Sequence, residues 1–502
     1  HRTMHNPALS RRAFFITSAG MASTLAMPRG WGQSSRTEPF TLGVASGAPR
    51  PDRVVLWTRL APDPLQGGGM PQEDVPLRCR VCSDPAMRKP VIDTMVMAPA
   101  ADAHSVHFSA GGLQPHREYF YQFYWGEDAS PVGRTRTAPL ADTPVKLALA
   151  SCQHLEYGYF AAFRDMAQSN PDVIVHVGDY IYEYDPGPLG QVERVVLGQT
   201  ITSQRVRQHA SAEVRTLWDY RNRYAQYRMD EDLQAAHAAA PWIVAFDDHE
   251  VDNDWAGYTP EDPHRQTALE FRLRRWAAFK AYYEHMPLER PPSLDRYRLY
   301  SALPLFNQFD FGPQLQLIQL DTRQYRSDQP CTDRMPAAPD CPERYSKANT
   351  MTGRNQERKI RNALRRSTAR WNLLAQQTWF SQIRYPGEHF NMDQWDGYPH
   401  QRARIAAELS RRQLNNPVIL SGDWHSGAAM TVHKNFDDPK SPPVAAELAG
   451  TSITTPCPWA PAVDAALPDN PHVTYYGGDQ RGYLQCHISA QRLKAEFKVI
   501  DQ

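Results

Sequence analysis

Trp242-Ile243-Val244-Ala245-Phe246-Asp247-Asp248-His249-Glu250 sets an apolar run of strand length directly against three carboxylates and an imidazole. Like charges packed this closely repel strongly unless cations neutralise them. The stretch reads as a buried strand that delivers a metal-binding loop. Asp252, Asn253 and Asp254 follow with further hard oxygen donors of the kind calcium prefers. The arrangement recurs. Residues 145–150, 173–177, 315–320 and 418–420 are also apolar runs of strand length. Three of these lead into a potential ligand: Cys152, Asp179, and Asp423 with His425. In α/β sheets functional groups gather at the carboxyl ends of strands, because the loops there converge on one crevice. Longer amphipathic stretches such as 266–285 separate the runs. Residues 141–502 are therefore expected to form one α/β catalytic domain.

The donors differ in kind. Gly178-Asp179-Tyr180-Ile181-Tyr182 supplies a carboxylate, which can bridge two cations, and a phenol that suits a trivalent ion such as Fe(III). Gly422-Asp423-Trp424-His425 places a carboxylate and an imidazole two residues apart. Ser151-Cys152-Gln153-His154 offers a thiol that is either an iron ligand or an inert buried cysteine.

Residues 36–140 change character. Arg53-Val54-Val55-Leu56-Trp57-Thr58-Arg59 and Glu118-Tyr119-Phe120-Tyr121-Gln122-Phe123-Tyr124 are rich in β-branched and aromatic residues, with Gly and Pro between strands. An all-β sandwich of immunoglobulin or fibronectin type is expected. Ahead of it, Ser10-Arg11-Arg12-Ala13-Phe14-Phe15 and the short apolar stretch 16–27 resemble a twin-arginine export signal within residues 1–35. That pattern predicts a periplasmic or secreted protein carried by the twin-arginine machinery. No run reaches the roughly 18 apolar residues of a membrane span.

Composition bounds the rest. The 502 residues carry equal numbers of acidic and basic side chains, so no overall field favours nucleic acid as a specific partner. The length suggests two domains. Seven cysteines leave one unpaired after three pairs. Cys331 and Cys341 flank a short loop and are expected to form a local disulfide, while Cys79 and Cys82 are left open.

Taken together, the 179–182 stretch, the His249 loop and the Asp423/His425 pair are similar to the calcineurin-like and purple acid phosphatase signature. Cys152 stands where that superfamily usually has an aspartate. Asp248 replaces the asparagine of its Asn-His-Glu motif, and Asp423 a usual histidine. These swaps resemble the PhoD family, as do residues 151–153, 178–183, 247–251, 320–326, 396–398 and 450–454. The resemblance covers nearly the whole chain. It implies a four-layer metallophosphatase core with one Fe(III) and one or two Ca²⁺. Cys152, Asp179, Tyr182 and His425 would hold the iron, and Asp179 would bridge to calcium. Asp248 and Asp423 would lie on the calcium side, with Asn253 a candidate for a second calcium and Asp247 either a ligand or an outer support. His154 has no place in the family pattern.

The implied chemistry is hydrolysis of phosphate mono- or diesters by a metal-bound hydroxide, with His249 either protonating the departing alkoxide or stabilising charge in the transition state. Arg323 and Arg326 are read either as phosphate contacts or as ion-pair partners. Three other readings compete: a triester hydrolase on the same site, a non-catalytic calcium-binding surface protein, and a redox protein with a thiolate–tyrosinate iron.

Overall fold

The computed structural model describes residues 38–500 apart from 333, 334 and 439. The export signal expected within residues 1–35 lies outside the described residues.

Two mixed sheets organise the chain. The first has eight strands in the spatial order Leu493–Ile500, Arg481–Ile488, Val145–Ala150, Val173–His176, Pro241–Val244, Val44–Gly47, Arg53–Arg59 and Ser105–Gly111. Strands 145–150, 173–176, 241–244 and 44–47 run parallel. The second has seven strands in the order Asn307–Phe311, Leu315–Gln319, Trp371–Ala375, Pro417–Ser421, Pro443–Ala449, Gly427–His433 and Val473–Gly477. Its strands from 315–319 to 443–449 are also parallel. Central parallel strands are covered on both faces, so their sequences are unbroken apolar runs rather than alternations. That is why five of them are readable in the sequence.

The two sheets pack face to face. Leu147, Leu149, Val175 and Ile243 of the first meet Leu315, Leu317, Leu373 and Leu420 of the second. Fully burying each such side chain contributes about 1.5–3 kcal/mol over leaving it in water. Helices Leu217–Arg228, Glu231–Ala239 and Ala268–His285 cover the outer face of the first sheet through Tyr220, Leu233 and Phe279. Helices Gly353–Arg366 and Pro399–Leu409 cover the second through Ile360, Leu364, Ile405 and Leu409. The order is helix, sheet, sheet, helix: the expected four layers. The amphipathic stretch ending at His285 starts its helix where Thr267 and Glu270 cap each other's backbone N–H groups.

The N-terminal sandwich also forms. Leu77, Val81, Tyr121 and Phe123 of a five-stranded sheet pack against Val54, Leu56, Val106 and Ala110. One of its layers is not separate from the core. Ser46 and Gly47 pair in parallel with Pro241 and Trp242, so strands 44–47, 53–59 and 105–111 extend the eight-stranded sheet. Register between the sandwich and the strand carrying Asp247 is thus set by backbone hydrogen bonds.

Cys331 and Cys341 form the expected disulfide, with Cα atoms 5.8 Å apart. Cys79, Cys82, Cys152, Cys457 and Cys486 are all free and buried. The three-pair reading is corrected: one pair exists among the described residues. Cys79 and Cys486 sit within apolar clusters, where a thiol serves as a small hydrophobe. An odd cysteine count therefore says nothing about Cys152.

Candidate metal centre

Four strand ends converge. Strand 145–150 leads to Cys152, 173–176 to Asp179, 241–244 to Asp247, Asp248 and His249, and 417–421 to Asp423 and His425. Cys152, Asp179, Asp423 and His425 all have positive φ, at 58°, 56°, 62° and 52°. A side chain in the left-handed region stores strain, and such residues collect at functional sites where surrounding bonds over-determine them. Those bonds are present. Cys152 N–H donates to the Gly178 carbonyl at 3.1 Å and Gln153 N–H to the Asp179 carbonyl at 3.0 Å. The Glu250 carboxylate accepts the N–H groups of Asp179, Tyr180 and Asp247 at 3.1, 2.7 and 2.9 Å. Gly178 has φ +122°, and a Cβ there would lie 2.4 Å from the Asp247 Cβ. Gly178→Ala is expected to cost about 1–3 kcal/mol from strain before the clash is counted, lowering both the melting temperature and the metal retained after dialysis. Wild-type values for both would show that this loop spacing is not what forms the site.

The ligand atoms form three overlapping groups, each with atoms within 4.8 Å of one another: Cys152, Asp179 and His425; Asp179, Asp248 and His249; and Asp179, Asp247, Asp248 and Asp423. Asp179 belongs to all three. Tyr182 joins the first, its hydroxyl 3.2 Å from Asp179 Oδ2 and 3.4 Å from His425 Nε2, with Thr455 Oγ1 at 2.9 Å. His425 Nδ1 lies 3.0 Å from the Pro456 carbonyl, which fixes the proton on Nδ1 and leaves the Nε2 lone pair facing the group. His249 Nδ1 is 2.8 Å from Glu183 Oε2, and its ring stacks on Tyr182 with centroids 4.1 Å apart. Glu183 also accepts the Asn253 N–H. Asn253 donates its side-chain amide to Glu261 at 2.8 Å.

The electrostatics ask for cations. Burial, against the pull of the His249 charge, holds Asp179 well above the usual carboxylate range, and Asp248 and Asp247 add to it. Burial followed by Asp247 and Asp248 does the same to Asp423. Burial pushes Asp247 up to about 6 against the opposing charge of Arg323. The Cys152 thiol is raised far above its ordinary value by burial and then by Asp179 and Asp423. Asp248 goes the other way: His249 and Arg323 outweigh its burial and hold it ionised. Burial alone would discharge His249, but Asp248, Glu183 and Asp179 raise its pKa well above normal. Asp247 Oδ2 is buried with no hydrogen-bond partner. The Cys152 thiol, Tyr182 phenol and His425 imidazole stand on one side of Asp179, a mixed set that suits a trivalent iron, and the Asp247, Asp248 and Asp423 carboxylates on the other, beside His249, supply the oxygen ligands that calcium takes. The residues fit the implied metals.

A pH dependence follows for protein stripped of metal. A group with a raised folded pKa loses stability as pH rises between its unfolded and folded values. Asp247 and Glu250, the latter pushed up to about 8 by burial, act this way, as do Asp179, Asp423 and the His249 proton. The melting temperature of stripped protein is expected to fall from about pH 6.5 to 8, above the range in which buried neutral histidines such as His154, His176 and His425, held below their ordinary value by burial, gain stability as the pH rises. With iron and calcium restored it is expected to hold, because cations compensate the same carboxylates. A stripped protein that gains stability over this range would contradict the crowding of uncompensated acids.

Several supports escape a sequence reading. Arg323 is fully buried, donating to Asp247 Oδ1 at 2.6 Å and to both Asp393 oxygens at 2.7 and 2.6 Å. Arg326 reaches Asp393 as well. Of the two alternatives for these arginines, the structure gives the ion-pair one. Asp393 comes from a loop 70 residues away, so no local signal announces it. His154 is buried, its Nδ1 accepts the Glu156 N–H, and its ring stacks on His209 and meets Tyr182 at a tilt. A cleft of about 480 Å³ opens above the cluster, lined by His154, Tyr157, Tyr184, Arg205, His249 and Trp459 among others. The hairpin of strands Gly190–Val196 and Gln199–Arg205 forms one wall.

Family models for the PhoD-like phosphatase and its N-terminal domain match residues 147–497 and 24–139. Alkaline phosphatase D of Bacillus subtilis (strain 168) is 44% identical over 477 residues, covering 92% of this chain and 78% of that protein. The solved structure of PhoD superposes with a TM-score of 0.85 at 42% identity, covering 93% of this chain and 88% of the other. A purple acid phosphatase from yellow lupin seeds superposes with a TM-score of 0.50 at 11% identity, covering 91% of this chain and 72% of that one, a likeness of fold alone.

Proposed function

The chain belongs to the PhoD-like phosphatase family, and from that premise we propose that it is an exported, metal-dependent phosphoesterase acting on phosphate mono- or diesters. The observation that carries the reading is Asp179, shared by all three donor groups where four strand ends meet. Cys152, Asp179, Tyr182 and His425 would hold Fe(III). Asp179, Asp247, Asp248 and Asp423 would hold Ca²⁺, with Asn253 beside the cleft as the candidate for a second Ca²⁺. When bound, the cations would supply Lewis acidity to the phosphoryl oxygens and lower the pKa of a water.

The chain's own residues do the rest. Glu183 fixes the His249 ring through Nδ1 and, with Asp248 and Asp179, keeps it protonated. His249 lines the cleft, so it can hold a proton for the oxygen of the departing alcohol. Tyr157, Tyr184 and Trp459 give the leaving group apolar walls. Those walls also suit a neutral triester, which keeps triester hydrolysis as the second reading. Export rests on Arg11 and Arg12 and predicts a periplasmic or secreted enzyme. No helix among the described residues is long and apolar enough to cross a membrane.

The test is hydrolysis of p-nitrophenyl phosphate, its bis-ester and a neutral aryl triester, before and after chelation and after calcium is returned. Loss on chelation and recovery with calcium is expected, with mono- or diester the better substrate. Hydrolysis that survives complete metal removal would sink the proposal. His249→Ala is expected to lower turnover about 10²–10⁴-fold with metal content intact. Empty metal sites in that variant would instead make His249 a ligand, as its nearness to Asp179 and Asp248 allows.

A further inference from the structure

Away from the metal cluster, the helix Gly353–Arg366 presents a second concave feature. Its sequence holds six basic side chains and one acid, Glu357, in fourteen residues. Lys347, Arg354, Arg358, Arg361, Arg365 and Arg404 line a groove of about 450 Å³ between this helix and the helix Pro399–Leu409. Two carboxylates offset them. Glu357 holds Arg404 at 2.6 Å, and Glu408 holds Arg361 and Arg365 at 2.9 and 2.5 Å. Lys347, Arg354 and Arg358 are exposed and have no ion pair among the described residues. Six cations against two acids is a strong local excess in a chain whose formal charge is zero.

A merely solvated helix face would not be built this way. Arg354 and Arg358, and again Arg361 and Arg365, are like charges four residues apart, which weakens a helix. Arg354 also sits in the first turn, where the helix dipole disfavours a cation. Meanwhile Glu408 and Glu357 hold three guanidinium groups in fixed positions while leaving them about 40% exposed, at 38%, 42% and 40%. Guanidinium groups ordered in advance lose less entropy when they bind phosphate oxygens in pairs. Along the helix, positions 354, 358, 361 and 365 step by about 6, 4.5 and 6 Å. A single phosphate would engage one or two of them; a chain of phosphates would engage the row.

We propose that this groove is an anchoring site for a flexible linear polymer carrying phosphate at each repeat, distinct from the metal cluster. Its N-terminal end lies on the site's side of the sheet, since Gln356 accepts the N–H of Asp321 just past the end of strand Leu315–Gln319. A bound polymer would be held with part of its length toward that side. The site is independent of which ester the metal cluster cleaves.

The experiment is anisotropy of end-labelled inorganic polyphosphate, about 25 units long, against the full chain at several salt concentrations. Binding is expected to weaken steeply with salt. In the double variant R354E/R358E affinity is expected to drop at least about tenfold, with the salt slope reduced by about 1.4 for two lost contacts. R354Q/R358Q is expected to fall between this variant and wild type, and p-nitrophenyl phosphate turnover to be unchanged in both. Wild-type protein that does not bind polyphosphate, or a charge-reversed variant that binds it as well, overturns the proposal. Binding to phosphatidylglycerol vesicles without binding to polyphosphate also overturns it, since the groove would then serve a lipid surface.

Discussion

Asp179→Asn is expected to reduce phosphoesterase turnover by at least about 10³-fold and to strip the protein of both metals. The size follows from position. Asp179 contributes to every donor group in the site, so neither cation position survives without it. An amide keeps the shape and can still accept from the Tyr182 hydroxyl, which now reaches Asp179 Oδ2 at 3.2 Å. It cannot bridge two cations with anionic oxygens. A factor of 10³ corresponds to about 4 kcal/mol of transition-state stabilisation, modest for losing a Lewis-acid centre. A second readout separates this from misfolding. Asp179 is buried among Asp247, Asp248 and Glu250, all of which disfavour its charge. Stripped Asp179→Asn protein should therefore melt higher than stripped wild type, while the metal-loaded comparison reverses. Metal content by mass spectrometry together with the two melting curves checks it. Full metal occupancy in Asp179→Asn would remove Asp179 as the bridge.

What the sequence made legible divides along a physical line. Strands 145–150, 173–176, 241–244, 315–319 and 417–421 were readable because burial on both faces makes them unbroken apolar runs. Their ligands were readable because each lies within a few residues of a strand end. Strand Arg481–Ile488 was not, although it pairs with 145–150, because Gln485 and His487 interrupt its apolar pattern. The joining of the sandwich to the catalytic sheet was equally hidden, since parallel pairing of Ser46 with Pro241 leaves no mark on either segment. Within the site the same division holds. Glu250 stands three residues from Asp247, yet its work on the Asp179 and Tyr180 backbone spans about 70 residues. The cysteine count pointed nowhere, because burial in an apolar core keeps thiols without any pairing.

Arg323 shows how far such hidden support reaches, and Arg323→Met is expected to destabilise the protein by about 3–5 kcal/mol. Its guanidinium is fully buried and paired to Asp247 and Asp393, with Asp248 3.7 Å away. Replacing it with a side chain of similar length keeps the volume but leaves carboxylates facing one another without a cation. Arg326 still reaches Asp393, so the larger loss falls on Asp247 and Asp248. The sensitivity to metal should change accordingly: Arg323→Met is expected to melt well below wild type when stripped and to recover a larger part of the deficit when calcium is returned. Arg323→Lys keeps one charge but cannot hold Asp247 and Asp393 through a planar fork, and is expected to lie between the two. The double variant R323M/D393N removes one of the stranded acids and should regain part of the loss. A phosphate-binding role predicts otherwise, with a raised KM, an unchanged melting temperature and no rescue by D393N. That outcome would return Arg323 from the frame of the metal centre to its substrate face.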